Sequence, residues 1–183
     1  EEILERINNN TITDILNKIE VKAGDVVMVK AGTIHAIGAG VFICEIQQNS
    51  NCTYRMYDYD RRDKFGNPRE LHVKKALDVV DNHKYIKDNK TEVVIARNEH
   101  FTEERLVQCK YFEVYKYDVN DEAKITVDEA SFVSVLFING SGTIETDDYE
   151  KTMEFKAGDS FFVSAGLRSI IIKGQATMVV TRV

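Results

Sequence analysis

Four side chains in the first third of the chain could do chemistry together. They are the imidazole of His35, the carboxylate of Glu45 and the guanidiniums of Arg55 and Arg61. An imidazole is a metal ligand or a proton carrier near neutral pH. One imidazole does not make a metal site, because catalytic zinc takes three protein ligands and leaves a position open. Glu45 lies in the apolar run V-F-I-C-E-I. A carboxylate there is costly unless it is paired or bound to a metal. At the edge of a sheet, in water, it costs nothing, and both readings stand. Residues 47–51 (QQNSN) are either a turn or a set of amides and a hydroxyl that hydrogen-bond a polyhydroxylated ligand. Residues 54–62 (YRMYDYDRR) interleave aromatic rings with charge. Alternation along a strand puts Arg55, Tyr57, Tyr59 and Arg61 on one face. If that face is solvent-exposed, it is an ordinary amphipathic surface. If it faces inward, two guanidiniums favour an anionic ligand such as a sugar phosphate. His72, His83 and His100 are isolated and follow no ligand spacing.

The elements that must hold these residues are announced by a phrase that occurs twice. Residues 21–37 read VKAGDVVMVKAGTIHAI, and residues 155–171 read FKAGDSFFVSAGLRSII. His35 of the first copy corresponds to Ser169 of the second. Internal repetition at this spacing describes one structural unit used twice. Gly24-Asp25 and Gly158-Asp159 are turn signals, followed by apolar strand runs and a second turn at Ala31-Gly32 and Ala165-Gly166. Strands are expected at 26–29, 34–37, 41–46 and 54–59, with a surface loop over 60–67. Further on, alternation predicts strands at 111–119, 131–138, 142–146, 160–164 and 176–182. Residues 139–142 (NGSG) read as a hairpin turn. Helical signals are few. Ile3, Leu4 and Ile7 form a short stripe, Thr11 or Thr13 caps a second helix over 12–19, and residues 74–82 hold one or two turns.

Three segments follow from this pattern. Residues 1–20 are a helical remnant, 21–92 an incomplete β unit ending in a polar linker from His83, and 93–183 a complete β unit. The helical scrap at the start implies that a longer protein precedes it. The incomplete unit is expected to expose a strand edge, which makes a homodimer through that edge a candidate.

Composition bounds the rest. In 183 residues, 43% hydrophobic and 30% charged side chains describe a globular protein. A net charge of −6 argues against a nucleic-acid partner. No apolar run approaches the length needed to span a bilayer, so no membrane role is expected. Cys44, Cys52 and Cys109 are odd in number and lack metal-motif spacing, which reads as free thiols in the cytoplasm.

The run A-G-T-I-H-A-I-G resembles the second conserved motif of the cupin superfamily, whose members are jelly-roll barrels. Together with E-I-Q-Q-N-S-N-x-T-Y-R-M-Y-D-Y-D-R and the R-E-L-H of residues 69–72, it resembles the type I mannose-6-phosphate isomerases in their short bacterial form. The dense match covers about residues 21–80. The downstream half resembles that family's metal-free C-terminal cupin domain. The fold implied is mainly β, with cupin-like jelly-roll units, one incomplete and one complete. The reaction implied is the interconversion of mannose 6-phosphate and fructose 6-phosphate with one zinc ion. The resemblance makes His35 the last zinc ligand, Glu45 an active-site glutamate near the metal and Arg55 a catalytic arginine. It makes Arg61 a phosphate-binding residue. Asn51, a substrate-binding position, stands where relatives commonly have Asp, so an acid or base role there is not carried over. Lys30 replaces the proline of the family's P-A-G turn. The family's other zinc ligands, a Gln, a His and a Glu, belong to an N-terminal region absent from these 183 residues. The competing reading is a non-catalytic sugar-binding or regulatory cupin module.

Overall fold

A computed structural model of the chain describes residues 1–83, 93–147 and 152–183. The polar linker expected after His83 falls largely outside the described residues. The chain divides into two compact units, Glu1–Lys87 and Asp88–Val183.

The first unit opens with helix α1 (Glu2–Asn8), whose apolar stripe buries Ile7. Arg6 reaches Glu2 at 3.6 Å and Asp14 at 3.9 Å. The three asparagines end the helix, with Asn10 at φ 56°. The second helix expected over 12–19 is a single 3-10 turn, Ile12–Ile15, followed by Leu16 in extended geometry. The β-branched Ile12, Thr13 and Ile15 lose χ1 freedom in a helix, and Asp14 and Asn17 compete for its backbone, which limits the element to one turn. Helix α2 (Val73–Val79) buries Ala76.

The strands expected at 26–29, 34–37, 41–46 and 54–59 are not formed as such among the described residues. Their side chains have the right types, yet Val27, Val29, Ile37, Val41 and Ile43 are all exposed. A strand is stabilised by its ladder and by cross-strand neighbours rather than by its own backbone preference. Among the described residues no partner strand lies beside these segments. The turns between them do form. Gly24 and Gly32 take φ values of 93° and 83°. Gly32 is also held close to the end of α2: its carbonyl accepts the Asp81 N–H at 2.9 Å, and a Cβ on it would come within 2.7 Å of the Val79 carbonyl.

The second unit is an eight-stranded antiparallel sheet folded on itself. Its strands are β1 (Val93–Arg97), β2 (Phe101–Gln108), β3 (Glu113–Val119), β4 (Glu122–Val127), β5 (Val133–Thr146), β6 (Met153–Lys156), β7 (Ser160–Val163) and β8 (Arg168–Arg182). The sheet order is β1-β2-β3-β8-β5-β6, with β4 on β8 and β7 on β5. The long strands β5 and β8 pair along almost their full length and belong to two layers. The C-terminal half of β8 pairs with β3, and its N-terminal half with β4. Likewise β5 pairs first with β7 and then with β6.

The corner of this shared ribbon lies at Gly140, Gly142 and Gly174. A Cβ on Gly140 would sit 1.9 Å from the Gln175 carbonyl oxygen, and one on Gly142 would sit 2.0 Å from that of Lys173. Residues 139–142, expected to be a hairpin turn, are therefore the interior of β5. Glycine is required there because two backbones cross in contact, and the register slips between Phe137 and Asn139. The two short strands expected at 131–138 and 142–146 become one. Between the layers, Val135, Phe137, Ile125, Ile170, Ile172, Met178 and Val180 are fully buried. The rings of Phe137 and Phe155 stack with centroids 3.7 Å apart.

Candidate active site

Residues 54–72 build a polar cluster in the first unit. Asp58 is only 6% exposed, and its Oδ1 is the meeting point of three arginines. Arg61 donates from Nη2 to Asp58 Oδ1 at 2.6 Å and from Nε to the Asp58 carbonyl at 3.2 Å. Arg69 Nη1 lies 3.6 Å and Arg55 Nε 3.9 Å from the same Oδ1. Asp58 Oδ2 is buried and has no hydrogen-bond partner.

The backbone bends sharply to achieve this. Tyr59 and Asp60 take φ values of 57° and 50°, and the Arg61 N–H donates to the Asp58 carbonyl at 3.0 Å. Two consecutive positive φ angles closed by such a bond are the signature of a type I′ turn. That turn favours Asn and Gly; a tyrosine in it costs free energy. Backbone strain of this kind collects at functional sites. The turn brings Arg61 back over the Tyr59 ring, 5.6 Å from its centroid.

Arg55 is fixed from the other side by His72. The His72 N–H donates to the Arg55 carbonyl at 2.7 Å, and the Arg55 N–H points at His72 Nδ1 at 3.4 Å. The intervening loop is tied by Asp63, whose Oδ1 accepts the N–H groups of Phe65 and Asn67 at 2.8 and 2.9 Å. These backbone donors, Asn67 first, hold the Asp63 carboxyl below its usual range. The other nearby acids are engaged as well. Asp60 pairs with Arg62 at 2.9 Å, and Glu70 approaches His72 at 3.8 Å.

His35 follows the Gly32 turn and is exposed. Its Nδ1 lies 2.9 Å from the Thr33 carbonyl oxygen. A carbonyl only accepts, so Nδ1 donates in this contact, and in the neutral ring Nε2 is the nitrogen with a lone pair to offer. Metal-bound histidines are commonly oriented by such a bond to a backbone carbonyl. The rest of a metal site is missing, however. Among the described residues no group of three His, Cys, Asp or Glu side chains could hold a metal ion. His35 thus fits the part of one donor, and these residues alone do not fit a zinc centre. Glu45 and Asn51 are exposed and lie outside regular secondary structure.

The structure therefore brings Arg55 and Arg61 together and adds Asp58 and Arg69, to which residue type and spacing alone assign no role. The signal for Asp58 was its position three residues from both Arg55 and Arg61. It was hidden because alternation along a strand would have pointed it away from both.

Similarity to known proteins agrees with these motifs. Residues 102–183 match the family model described as mannose-6-phosphate isomerase, cupin domain. All of the chain aligns at 41% identity with 56% of the putative mannose-6-phosphate isomerase YvyI of Bacillus subtilis strain 168. Nearly all of it, 99%, aligns at 33% identity with 56% of the mannose-6-phosphate isomerase ManA of the same organism. The crystal structure of the mannose 6-phosphate isomerase from Bacillus subtilis superposes on the whole chain with a TM-score of 0.87 at 37% identity, covering 56% of that structure. The chain thus spans about half the length of the relatives it matches.

Proposed function

The chain belongs to the cupin-type mannose-6-phosphate isomerase family, and on that premise we propose that residues 21–83 carry part of the active site of an aldose–ketose isomerase. The substrates are mannose 6-phosphate and fructose 6-phosphate. The observation that carries this reading is the convergence of Arg55, Arg61 and Arg69 on the buried Asp58.

The reaction removes a proton from C2 of the open-chain aldose and protonates O1 to give an enediol, then removes the O2 proton and protonates C1. Negative charge develops on the sugar oxygens as C2 is deprotonated. Arg55, fixed by Asp58 and His72, supplies a preorganised positive charge for it. Arg61 holds the phosphoryl group and so orients C1 and C2. Glu45 is the carboxylate assigned to move the proton. Asn51 contributes hydrogen bonds to hydroxyls and, as an amide, carries no proton at neutral pH. His35 offers Nε2 as one metal donor. Zinc, when held by a complete donor set, supplies Lewis-acid polarisation of the sugar oxygens. The remaining donors then come from chain beyond these 183 residues. The unpartnered strand-like segments in 26–46 and the 56% span of each relative support that reading. On it, the 183 residues alone are inactive. A cytoplasmic enzyme fits the free thiols of Cys44, Cys52 and Cys109.

The test is isomerase turnover of the full-length protein beside its Arg55→Ala variant. Turnover falls on the order of 10²-fold in the variant, the usual scale for losing one preorganised donor. A full-length protein that binds sugar phosphate but never isomerises it supports the non-catalytic sugar-binding module instead. That reading rests on the incomplete donor set.

A further inference from the structure

We propose that Asp58 is a positioning residue that gathers Arg55, Arg61 and Arg69 into one anion-binding cluster, with Arg69 as a further cation for the phosphoryl group. This rests on the sugar-phosphate reading above and deepens it by giving Asp58 and Arg69 roles of their own.

The geometry argues for it in three steps. First, three guanidiniums share one carboxylate, while Asp60 is paired with Arg62 and Asp63 is turned to the backbone N–H groups of its own loop. An excess of guanidinium at a fixed point is a receptor for a dianion. Second, a carboxylate that served stability alone would be poorly built. Asp58 is 6% exposed, loads every cation onto Oδ1 and leaves Oδ2 buried without a partner. Burying a charge in that way costs more than an ordinary ion pair returns. Third, the chain accepts positive φ at Tyr59 and Asp60 in order to bring Arg61 to this point. Arg61 and Arg69 remain more than half exposed, with side-chain values of 63% and 53%, so their outer donors are open to a ligand. Arg55 is the inner member, at 26%. The cluster thus grades from an exposed phosphate-facing side to an inner side at the reacting carbons.

The test uses the full-length protein with inorganic phosphate as the probe, by calorimetry, and needs no turnover. Arg69→Met keeps the side-chain length and removes the charge. It raises the phosphate Kd about tenfold, and Arg69→Lys recovers part of the loss. Asp58→Asn keeps an oxygen in place of Oδ1 and makes the cluster more positive, yet it weakens phosphate about tenfold because the guanidiniums lose their common anchor. Affinity for neutral mannose is unchanged in Arg69→Met. An unaltered phosphate Kd in Arg69→Met, or tighter phosphate binding in Asp58→Asn, overturns the proposal. Phosphate binding that depends on both residues in a protein without isomerase turnover upholds the cluster and overturns the reaction alone.

Discussion

Asp25 and Asp159 close the same turn in the two halves of the chain. Each Oδ2 accepts the backbone N–H of the lysine three residues earlier, Lys22 at 3.2 Å and Lys156 at 2.9 Å. Each aspartate N–H returns to that lysine's carbonyl at 3.1 Å. The intervening glycines match too, with φ of 93° at Gly24 and 90° at Gly158. The K-A-G-D phrase is therefore a structural unit used twice. Its two copies part further on, where Ser169 is buried in β8 and hydrogen-bonded to Asp147, while His35 is exposed.

Asp159→Ala removes a charged acceptor from that turn and lowers the stability of the second unit by about 1–2 kcal/mol. Asp159→Asn, which keeps an oxygen acceptor, loses less. Urea midpoints of the two variants decide the point; equal losses would mean the turn does not depend on the hydrogen bond.

Two glycine substitutions separate strain from collision. Gly158→Ala meets nothing within 4 Å and suffers only its positive φ, a cost of about 1 kcal/mol. Gly140→Ala drives a methyl to 1.9 Å from the Gln175 carbonyl and costs about 3 kcal/mol or more. Comparable denaturation midpoints for the two would show that the ribbon corner relaxes easily.

Tyr117 gives the second unit an alkaline limit. Burial, and the hydrogen bond it donates to Glu103 at 2.6 Å, push its phenol above the ordinary value. The folded state then keeps a proton that the unfolded chain releases near pH 10. Stability is fully present below that pH and falls as pH rises past it, by up to about 1.4 kcal/mol per pH unit. In Tyr117→Phe that slope flattens, although the variant starts less stable. Thermal unfolding between pH 8 and pH 11 measures both; a parallel decline in the two proteins sinks the assignment to Tyr117.

Metal content discriminates between the donors present and those required. Dialysed against buffer and assayed by atomic absorption, the 183-residue chain retains far less than one zinc per molecule, since one imidazole does not close a site. The full-length protein retains about one and loses it on His35→Ala. Stoichiometric zinc in the 183-residue chain would mean that these residues assemble a site of their own.

The sequence was most legible where local chemistry decides the outcome. The glycine-aspartate turns, the short helix at Ile3, Leu4 and Ile7, and the alternating strands of the second unit all follow from neighbouring residues. The reading failed where the outcome depends on distant chain. Residues 139–142 have hairpin composition, but their glycines serve the approach of Lys173 and Gln175, which no local window contains. Residues 41–46 have strand composition and, among the described residues, no partner strand. At the site, the residue types of Arg55 and Arg61 were readable as anion-binding. Their convergence was not, because it depends on a turn whose first central residue, Tyr59, disfavours the positive φ it adopts.

Strand β8 has a consequence for how the second unit comes into being during synthesis. It hydrogen-bonds to β3, β4 and β5, all of which leave the ribosome before it. Until β8 emerges, β3 and β4 each lack their shared neighbour, and β5 lacks its longest pairing. The earlier strands are made before the segment with which all three pair, and wait for it with those edges unpaired. Such waiting exposes unpaired edges to other nascent chains, so holding factors at the tunnel exit would have more effect on the yield of this unit than on its final stability.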